Sequence, residues 1–202
     1  MYGWHGRILR IDLTSGTIHE ETFSEEEAKK FFGGRGLAIK VLLEGMDPTA
    51  HPLSPENLLV MATGPLTSTP APTGNRYMVV TKSPLTGALS NSNSGGDFPT
   101  WMKRTGFDLY IFEGAAEKPV YLWVQDGEAQ LRDASHLWGK TTKETQAMIR
   151  AELGDGGVEL AMIGPGGENM VRYACVMNGL YDAAGRTGMG AVMGSKKCKA
   201  VA

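Results

Sequence analysis

Two glycine-rich segments carry residue types that can bind phosphate or a metal ion through backbone groups. The first is SNSNSGG at residues 90–96, in which Asn93 and Gly95 lie near the end. Side-chain and carbonyl oxygens are ligands for hard cations, and small residues let amide N–H groups approach phosphate oxygens. An ordinary turn uses the same residue types. The segment is therefore either a binding loop or a turn.

The second segment is AAGRTGMGAVMGSK at residues 183–196, which begins at Ala183 and contains Gly185 and Arg186. It ends in Gly-Ser-Lys, whereas a nucleotide-binding P-loop needs Gly-Lys followed by Ser or Thr. Its small residues can still bring the main chain close to a phosphate or to a cation that phosphates hold. The alternative is a purely structural glycine-rich turn that leads into a helix.

Arg76 follows the loop sequence APTGN and opens a strand-like segment. A guanidinium in that place can bind a phosphate with two parallel hydrogen bonds, although a solvated arginine is the ordinary alternative. The four histidines share no metal-ligand spacing, and no Ser/His/Asp order or paired carboxylates stand out. We therefore expect no catalytic side chain here, and a domain that holds a cofactor instead of performing acid–base chemistry.

Composition and charge limit the classes of partner. The 202 residues include 20 Lys and Arg against 22 Asp and Glu, so no basic surface for nucleic acid is expected. The apolar runs are too short to span a membrane, and the first residues lack the core of a signal peptide. The two cysteines, Cys175 and Cys198, form no CxxC pair. These features predict a cytoplasmic protein whose partners are small molecules and proteins.

Local patterns predict a mixture of strands and short helices. Alternating residues at 6–23 predict a hairpin, and Ser24 with Glu27, like Thr141 with Glu144, forms a capping-box pattern that begins a helix. Further strands are predicted at 58–63, at 76–83, at 107–114 and, as two strands, at 119–133.

The segment between these strands is predicted to be less regular. Residues 83–96 are typical of a long turn-rich loop, and Asp97 is a candidate cap for a helix that stops at Gly106.

An internal repeat relates the two halves of the chain. LLVMATGP at 58–65 is similar to VELAMIGP at 158–165, and the pair at 76–77 is similar to the Arg-Tyr pair at 172–173. Each half then runs into one of the two glycine-rich segments. Chance recurrence of strand and turn patterns is the alternative. A true duplication predicts two similar loops about a pseudo-twofold axis, where they could hold a ligand with two similar ends.

Several stretches together resemble the N-terminal domain of the aldehyde ferredoxin oxidoreductase family. These are GRGLA at 34–38, PLSPEN at 52–57, GPLTSTPAPTGNRY at 64–77, TKSPLTG at 81–87, NSGG at 93–96, DASHLWG at 133–139, IGPGGEN at 163–169 and AAGRTGMGAVMGSK at 183–196. The resemblance covers essentially the whole chain and is more specific than any single motif.

The resemblance implies an α+β fold of mixed β-sheets with flanking short helices, duplicated into two similar halves. Residues 1–202 would be the domain that holds a tungsten or molybdenum ion carried by two pterins, with magnesium bridging the pterin phosphates. A [4Fe-4S] cluster would be bound by later domains that lie outside this chain, so the chain alone is expected to be inactive.

The resemblance also assigns residues. Asn93 and Ala183 would offer carbonyls to the magnesium ion, Gly95 would lie beside the phosphates, and Arg76 would lie between pterin and cluster. Gly185 and Arg186 belong to the same second-half loop and would also contact the cofactor. Asp182 departs from the pattern, because well-known aldehyde-oxidising members have arginine there. An acid beside phosphates is unfavourable unless it faces water or the cation.

The implied reaction is oxidation of an aldehyde with water to a carboxylate, with ferredoxin as electron acceptor. Ferredoxin, the aldehyde and the protein's own C-terminal domains would be the partners. Two alternatives stay open. A related member could act on another carbonyl or aromatic substrate, or the chain could be a non-catalytic phosphate-binding module. The sequence does not choose between tungsten and molybdenum.

Overall fold

The strands of this protein form two sheets of six. The computed structural model describes residues 2–202. The first sheet contains β1 (Arg7–Asp12), β2 (Thr17–Thr22), β3 (Leu59–Thr63), β4 (Tyr77–Lys82), β5 (Leu89–Ser94) and β6 (Leu109–Glu113). The second contains β7 (Val120–Gln125), β8 (Glu128–Asp133), β9 (Ala161–Met162), β10 (Val176–Asn178), β11 (Asp182–Ala184) and β12 (Cys198–Val201).

Short helices connect the strands. They are α1 (Glu25–Phe31), α2 (Arg35–Gly45), α3 (Phe98–Arg104), α4 (Thr142–Leu153), α5 (Pro165–Glu168) and α6 (Met189–Ser195), with a 3-10 turn at Ser135–Leu137. Within residues 2–202, no helix has the length and apolar character needed to cross a membrane. The α+β class predicted from the sequence is confirmed.

The two sheets have the same topology. The first runs β2-β1-β6-β3-β4-β5 and the second β8-β7-β12-β9-β10-β11, with strands of the second half replacing those of the first in order. In each sheet only the first and last strands in chain order pair in parallel, namely β1 with β6 and β7 with β12. This repetition supports the predicted duplication over chance recurrence.

The strand registers show which residues of the two halves are equivalent. Ala62 and Met162 each lie two residues before the glycine of a Gly-Pro sequence. Ala62 pairs with Met78 in the first sheet, and Met162 pairs with Met177 in the second. Met78 in turn pairs with Asn93, and Met177 with Ala183. Asn93 and Ala183 therefore occupy equivalent positions.

One part of the predicted repeat is wrong. The same registers make Val176, not Tyr173, the equivalent of Tyr77. Tyr77 is fully buried at the start of β4, whereas Tyr173 precedes β10 and is 71% exposed. The Arg-Tyr pair at 172–173 matches the pair at 76–77 in sequence only, because strand register follows burial of alternate side chains and not residue identity.

The local signals for helix starts and hairpins are confirmed. Ser24 and Thr141 both form complete capping boxes at the starts of α1 and α4. Asp126 and Gly127, which join β7 to β8, both have positive φ, as two-residue hairpin turns of the favoured hand require.

Two local predictions are wrong. Residues 83–96 are not only a turn-rich loop, because they contain β5, an edge strand that pairs with β4 over six residues. Pairing overrides the low strand propensity of Asn and Ser. Asp97 precedes α3 but makes no capping hydrogen bond, because its backbone is already helical (φ −88°, ψ −30°) and not extended.

The main core lies between the sheets. Alternate residues of β1 and β3, such as Leu9 and Met61, join residues of the second sheet and of α3 and α6 in one buried cluster. Ile8 and Val60 point the other way and pack under α1 and α2. A third cluster covers the outer face of the second sheet under α4. In the strand order, β5 and β11 each lie at one edge of their sheet.

Candidate cofactor-binding site

The two edge strands β5 and β11 contact each other, and hydrogen bonds at and just beyond the strand ends join the two halves. The Arg186 N–H donates to the Ser92 hydroxyl at 3.1 Å, and the Asn178 side chain donates to the Gly95 carbonyl at 2.7 Å. Both contacts join residues of different halves. The predicted residues Asn93 and Ala183 thus lie at equivalent positions in two strands that touch.

Arg76 lies beside the end of β5. Its Nη1 donates to the Asn93 side-chain oxygen at 3.2 Å, and its guanidinium is exposed to solvent. A Cβ added to Gly95 would lie 3.6 Å from the Arg76 Cζ, so the missing side chain leaves the guanidinium accessible. An exposed guanidinium with donors that remain accessible suits a phosphate.

The carbonyl groups of the Gly95–Gly96 turn are held from both halves. Gly95 accepts from Asn178 in the second half, and Gly96 accepts from Asn75 at 2.7 Å in the first. Asn75 is itself held, since its Oδ1 accepts from Thr100 at 2.9 Å. Gly96 has φ +76°, which side-chain-bearing residues rarely adopt. The N–H groups of the turn are what it can offer to a phosphate.

The second glycine-rich segment divides into an open part and a packed part. Gly185 and Arg186 are exposed, and an added Cβ on Gly185 would meet nothing nearer than Ala183 at 3.9 Å. In contrast, a Cβ on Gly190 would lie 2.3 Å from the Cys175 carbonyl, and one on Gly194 would lie 2.0 Å from the Gly167 carbonyl. The glycines within α6 therefore serve close backbone packing, and only the start of the segment is available to a ligand.

Asp182 lies at the junction of the halves. It pairs with Asn178 across β10 and β11, and its Oδ2 would lie 2.6 Å from a Cβ on Gly96. Burial and, second to it, the charge of Asp182 raise the pKa of the Tyr77 hydroxyl above its usual range. The carboxylate thus lies on the side of Gly96 that faces Asn178, and on that side it opposes binding of an anion.

Comparison with known proteins identifies the family. Residues 8–202 match the aldehyde ferredoxin oxidoreductase N-terminal domain. The chain belongs to this family. It is 56% identical to the tungsten-containing aldehyde ferredoxin oxidoreductase of Pyrococcus furiosus over 202 residues and 57% identical to that of Pyrococcus abyssi over 201 residues. The whole chain is covered, but only 33% of each relative, so the chain spans a third of their length.

Two proteins described with other activities are also similar to this chain. A subunit of Pyrococcus furiosus described as an aliphatic sulfonate oxidoreductase, WOR-like subunit, is 40% identical over the whole chain and 34% of that relative. The solved active-site complex BamBC of benzoyl coenzyme A reductase with 1,5-dienoyl-CoA has a TM-score of 0.96 and 40% identity, covering 99% of this chain and 30% of that one. The fold is therefore that of the aldehyde ferredoxin oxidoreductase N-terminal domain.

The donor set at the strand ends fits the cofactor that the aldehyde ferredoxin oxidoreductase family implies. Arg76 and Arg186 are exposed cations, Gly95 and Gly185 leave room for close approach, and edge strands have backbone groups that no neighbouring strand pairs. Guanidinium and amide N–H groups bind phosphate, and carbonyl oxygens bind magnesium. The charge of Asp182 does not suit a phosphate.

Two polar residues at this junction, Asn75 and Asn178, escaped the sequence analysis, whereas Ser92 belongs to the predicted SNSNSGG segment. Asn75, Ser92 and Asn178 hold the two strand ends through side-chain hydrogen bonds. Asn75 and Asn178 each stand next to a glycine, a pair that is equally typical of a plain turn. Their roles depend on contacts between distant segments, for which the sequence alone carries no signal.

A large apolar groove lies elsewhere. Its volume is about 370 Å³, and its walls include Trp101 and Met102 of α3, Trp123 of β7 and the chain end at Ala202. None of the six predicted site residues lines it. The chemistry of the strand ends, and not the size of this groove, points to the cofactor site.

Proposed function

We propose that residues 1–202 form the cofactor-holding N-terminal domain of a tungsten-containing aldehyde ferredoxin oxidoreductase. The observation that carries this proposal is the meeting of two equivalent edge-strand ends, one with Asn93 and the other with Ala183. A ligand with two similar ends, such as a metal between two pterins, suits a pseudo-twofold site.

Each site residue has a stated role in this proposal. The carbonyls of Asn93 and Ala183 would bind the magnesium ion that bridges the phosphates. Gly95 and Gly185 would offer N–H groups and close approach, while Arg76 and Arg186 would neutralise charge. Arg76 would also lie on the side of a [4Fe-4S] cluster bound by later domains. These groups bind and orient, and none of them transfers a proton.

The proposed reaction consumes an aldehyde and water and yields a carboxylate, protons and two electrons. The bound cofactor supplies the redox chemistry, and ferredoxin accepts the electrons in the cytoplasm. The identity of 56–57% with tungsten-containing relatives supports tungsten over molybdenum. The protein's own C-terminal domains would complete the substrate pocket, because relatives are three times longer.

A different reaction on the same scaffold is the second candidate. The 40% identity to a benzoyl coenzyme A reductase complex and to a sulfonate oxidoreductase subunit supports a substrate other than an aldehyde. The higher identity to the aldehyde enzymes ranks that substrate class first. Assays of the full-length protein with aldehydes and with aromatic coenzyme A thioesters separate the two.

Elemental analysis of the full-length native protein, purified without oxygen, tests the cofactor. We expect about one tungsten and about four iron atoms per chain. Molybdenum in place of tungsten would change the metal and keep the function. A protein with none of the three metals would refute the oxidoreductase and leave a non-catalytic phosphate-binding module.

A further inference from the structure

A buried amide of the second half reaches into the first. Asn178, at the end of β10, is 1% exposed. Its Nδ2 donates to the Gly95 carbonyl at 2.7 Å, and its Oδ1 accepts from the Tyr77 hydroxyl at 3.3 Å. Tyr77 and Gly95 both belong to the first half, so each end of the amide crosses between the two halves.

The equivalent position in the first half shows that the fold does not need this amide. Met61 and Ala161 are equivalent, and they pair with Val79 and Asn178. Val79 is fully buried in the central core. A buried amide is less favourable than valine unless its hydrogen bonds are made. Asparagine at position 178 is therefore explained by its hydrogen bonds to the first half.

What Asn178 holds is the peptide unit between Gly95 and Gly96. This peptide is trans, so its C=O and N–H point in opposite directions. Because Asn178 draws the Gly95 carbonyl into the interior, the Gly96 N–H is turned away from the interior, and Gly96 itself is exposed. An N–H group held in this way needs no reorganisation when an anion binds.

We propose that Asn178 is a positioning residue which aims the Gly96 N–H at a phosphate of the bound cofactor and so controls how firmly the cofactor is retained. The inference rests on the proposed function. It adds Gly96 as a phosphate-binding position and gives Asn178 a role that strand packing alone does not require.

The test compares tungsten retention with stability in the full-length enzyme. Asn178→Leu keeps the number and branching of the side-chain heavy atoms and removes the amide, and Asn178→Val installs the residue that the first half holds. Ile149→Ala is the control, because Ile149 is fully buried in the outer cluster under α4, away from the strand ends. For each protein, one measures tungsten per chain, the rate of tungsten loss during dialysis against a chelator, and Tm.

We expect both Asn178 variants to lose tungsten about tenfold faster than wild type, since the amide no longer holds the Gly95 carbonyl. The Ile149 variant should lower Tm at least as much and retain tungsten like wild type. Equal tungsten retention in the Asn178 and Ile149 variants would overturn the inference while leaving the proposed function in place. A wild-type enzyme without tungsten or molybdenum would instead overturn the proposed function and the inference with it.

If Asn178→Leu does not fold, Asn178→Val decides by the same criterion. A third variant, Tyr77→Phe, removes the other partner of Asn178 and leaves the bond to Gly95 intact. It should keep tungsten retention at the wild-type level. Loss of tungsten in Tyr77→Phe as fast as in Asn178→Leu would show that the packing of the junction matters and not the aim of the Gly96 N–H.

Discussion

The two halves of the domain share a backbone path but differ in side chains at equivalent positions. Asn93 corresponds to Ala183, Val79 to Asn178 and Tyr77 to Val176. Only main-chain groups are common to both members of each pair. A ligand with two similar ends can therefore meet the same chemistry twice only through the backbone, while side chains make the two ends of the site unequal.

A buried ion pair shows the same divergence. The N–H groups of Thr63 and Ile163 donate to the carbonyls of Asp108 and Lys199 at 2.9 and 3.0 Å, so these two residues are equivalent. Asp108 pairs with Lys103 and accepts from the Gly6 N–H, whereas Lys199 pairs with Glu168. The position is kept charged and paired while the sign of the charge is reversed.

Removing one partner of either pair should have the largest effect on stability. Lys199→Met leaves Glu168 buried without its cation, and Lys103→Met does the same to Asp108. Each should lower the free energy of unfolding of the 202-residue chain by about 3–5 kcal/mol, measured by urea denaturation. The double variant Lys199→Met with Glu168→Leu should recover most of the loss. If one of these two single variants lowered the unfolding free energy by less than about 1 kcal/mol, the two ion pairs would not be equivalent.

Replacement of a glycine by alanine in the second glycine-rich segment should cost much stability in its packed part and little in its open part. Gly194→Ala places a Cβ 2.0 Å from the Gly167 carbonyl, while Gly185→Ala meets nothing closer than 3.9 Å. The first should cost about 3 kcal/mol in unfolding free energy, and the second less than about 0.5 kcal/mol. Equal costs would show that the division into an open and a packed part is wrong.

Lys196, the last residue of the second glycine-rich segment, is buried like Lys199, but its hydrogen bonds go to carbonyls and not to a carboxylate. Lys196 donates to the carbonyls of Pro55 and Gly114, and burial lowers its pKa from 10.5 to about 8. The unfolded chain then binds more protons than the folded one between these values, so stability rises with pH in that window.

From about pH 8 to about pH 9.5 the unfolding free energy should rise by about 2 kcal/mol through Lys196. Urea denaturation at several pH values measures this rise. The Lys196→Met variant is the matched control and should lack that part of the slope. An identical slope in both proteins would contradict a lowered pKa for Lys196.

The smallest effect concerns the contact between the edge strands. Ser92→Ala removes the hydroxyl that accepts from the Arg186 N–H and should cost about 1 kcal/mol of unfolding free energy. Ser90→Ala, on the same strand but exposed to solvent in part, is the control and should cost less. The reverse order would mean that the strand ends are held by other contacts.

Local signals in the sequence predicted most individual elements. The capping boxes at Ser24 and Thr141, the turn at Asp126 and the buried strand that ends at Thr63 all depend on residues within a few positions of one another. The edge strand β5 was missed, because its alternation of Asn and Ser is polar on both faces. Pairing with β4, and not residue propensity, makes it a strand.

By itself the sequence predicted the duplication, because Gly-Pro and glycine-rich motifs recur in order along the chain, and its resemblance to the aldehyde ferredoxin oxidoreductase family implied the fold class and the six residues proposed to bind the cofactor. Tertiary structure alone decided that Asn93 is the equivalent of Ala183, that α6 uses its glycines for packing, and that Asn178 reaches Gly95. These outcomes depend on strand register and on the packing of two sheets, which bring together residues far apart in the chain.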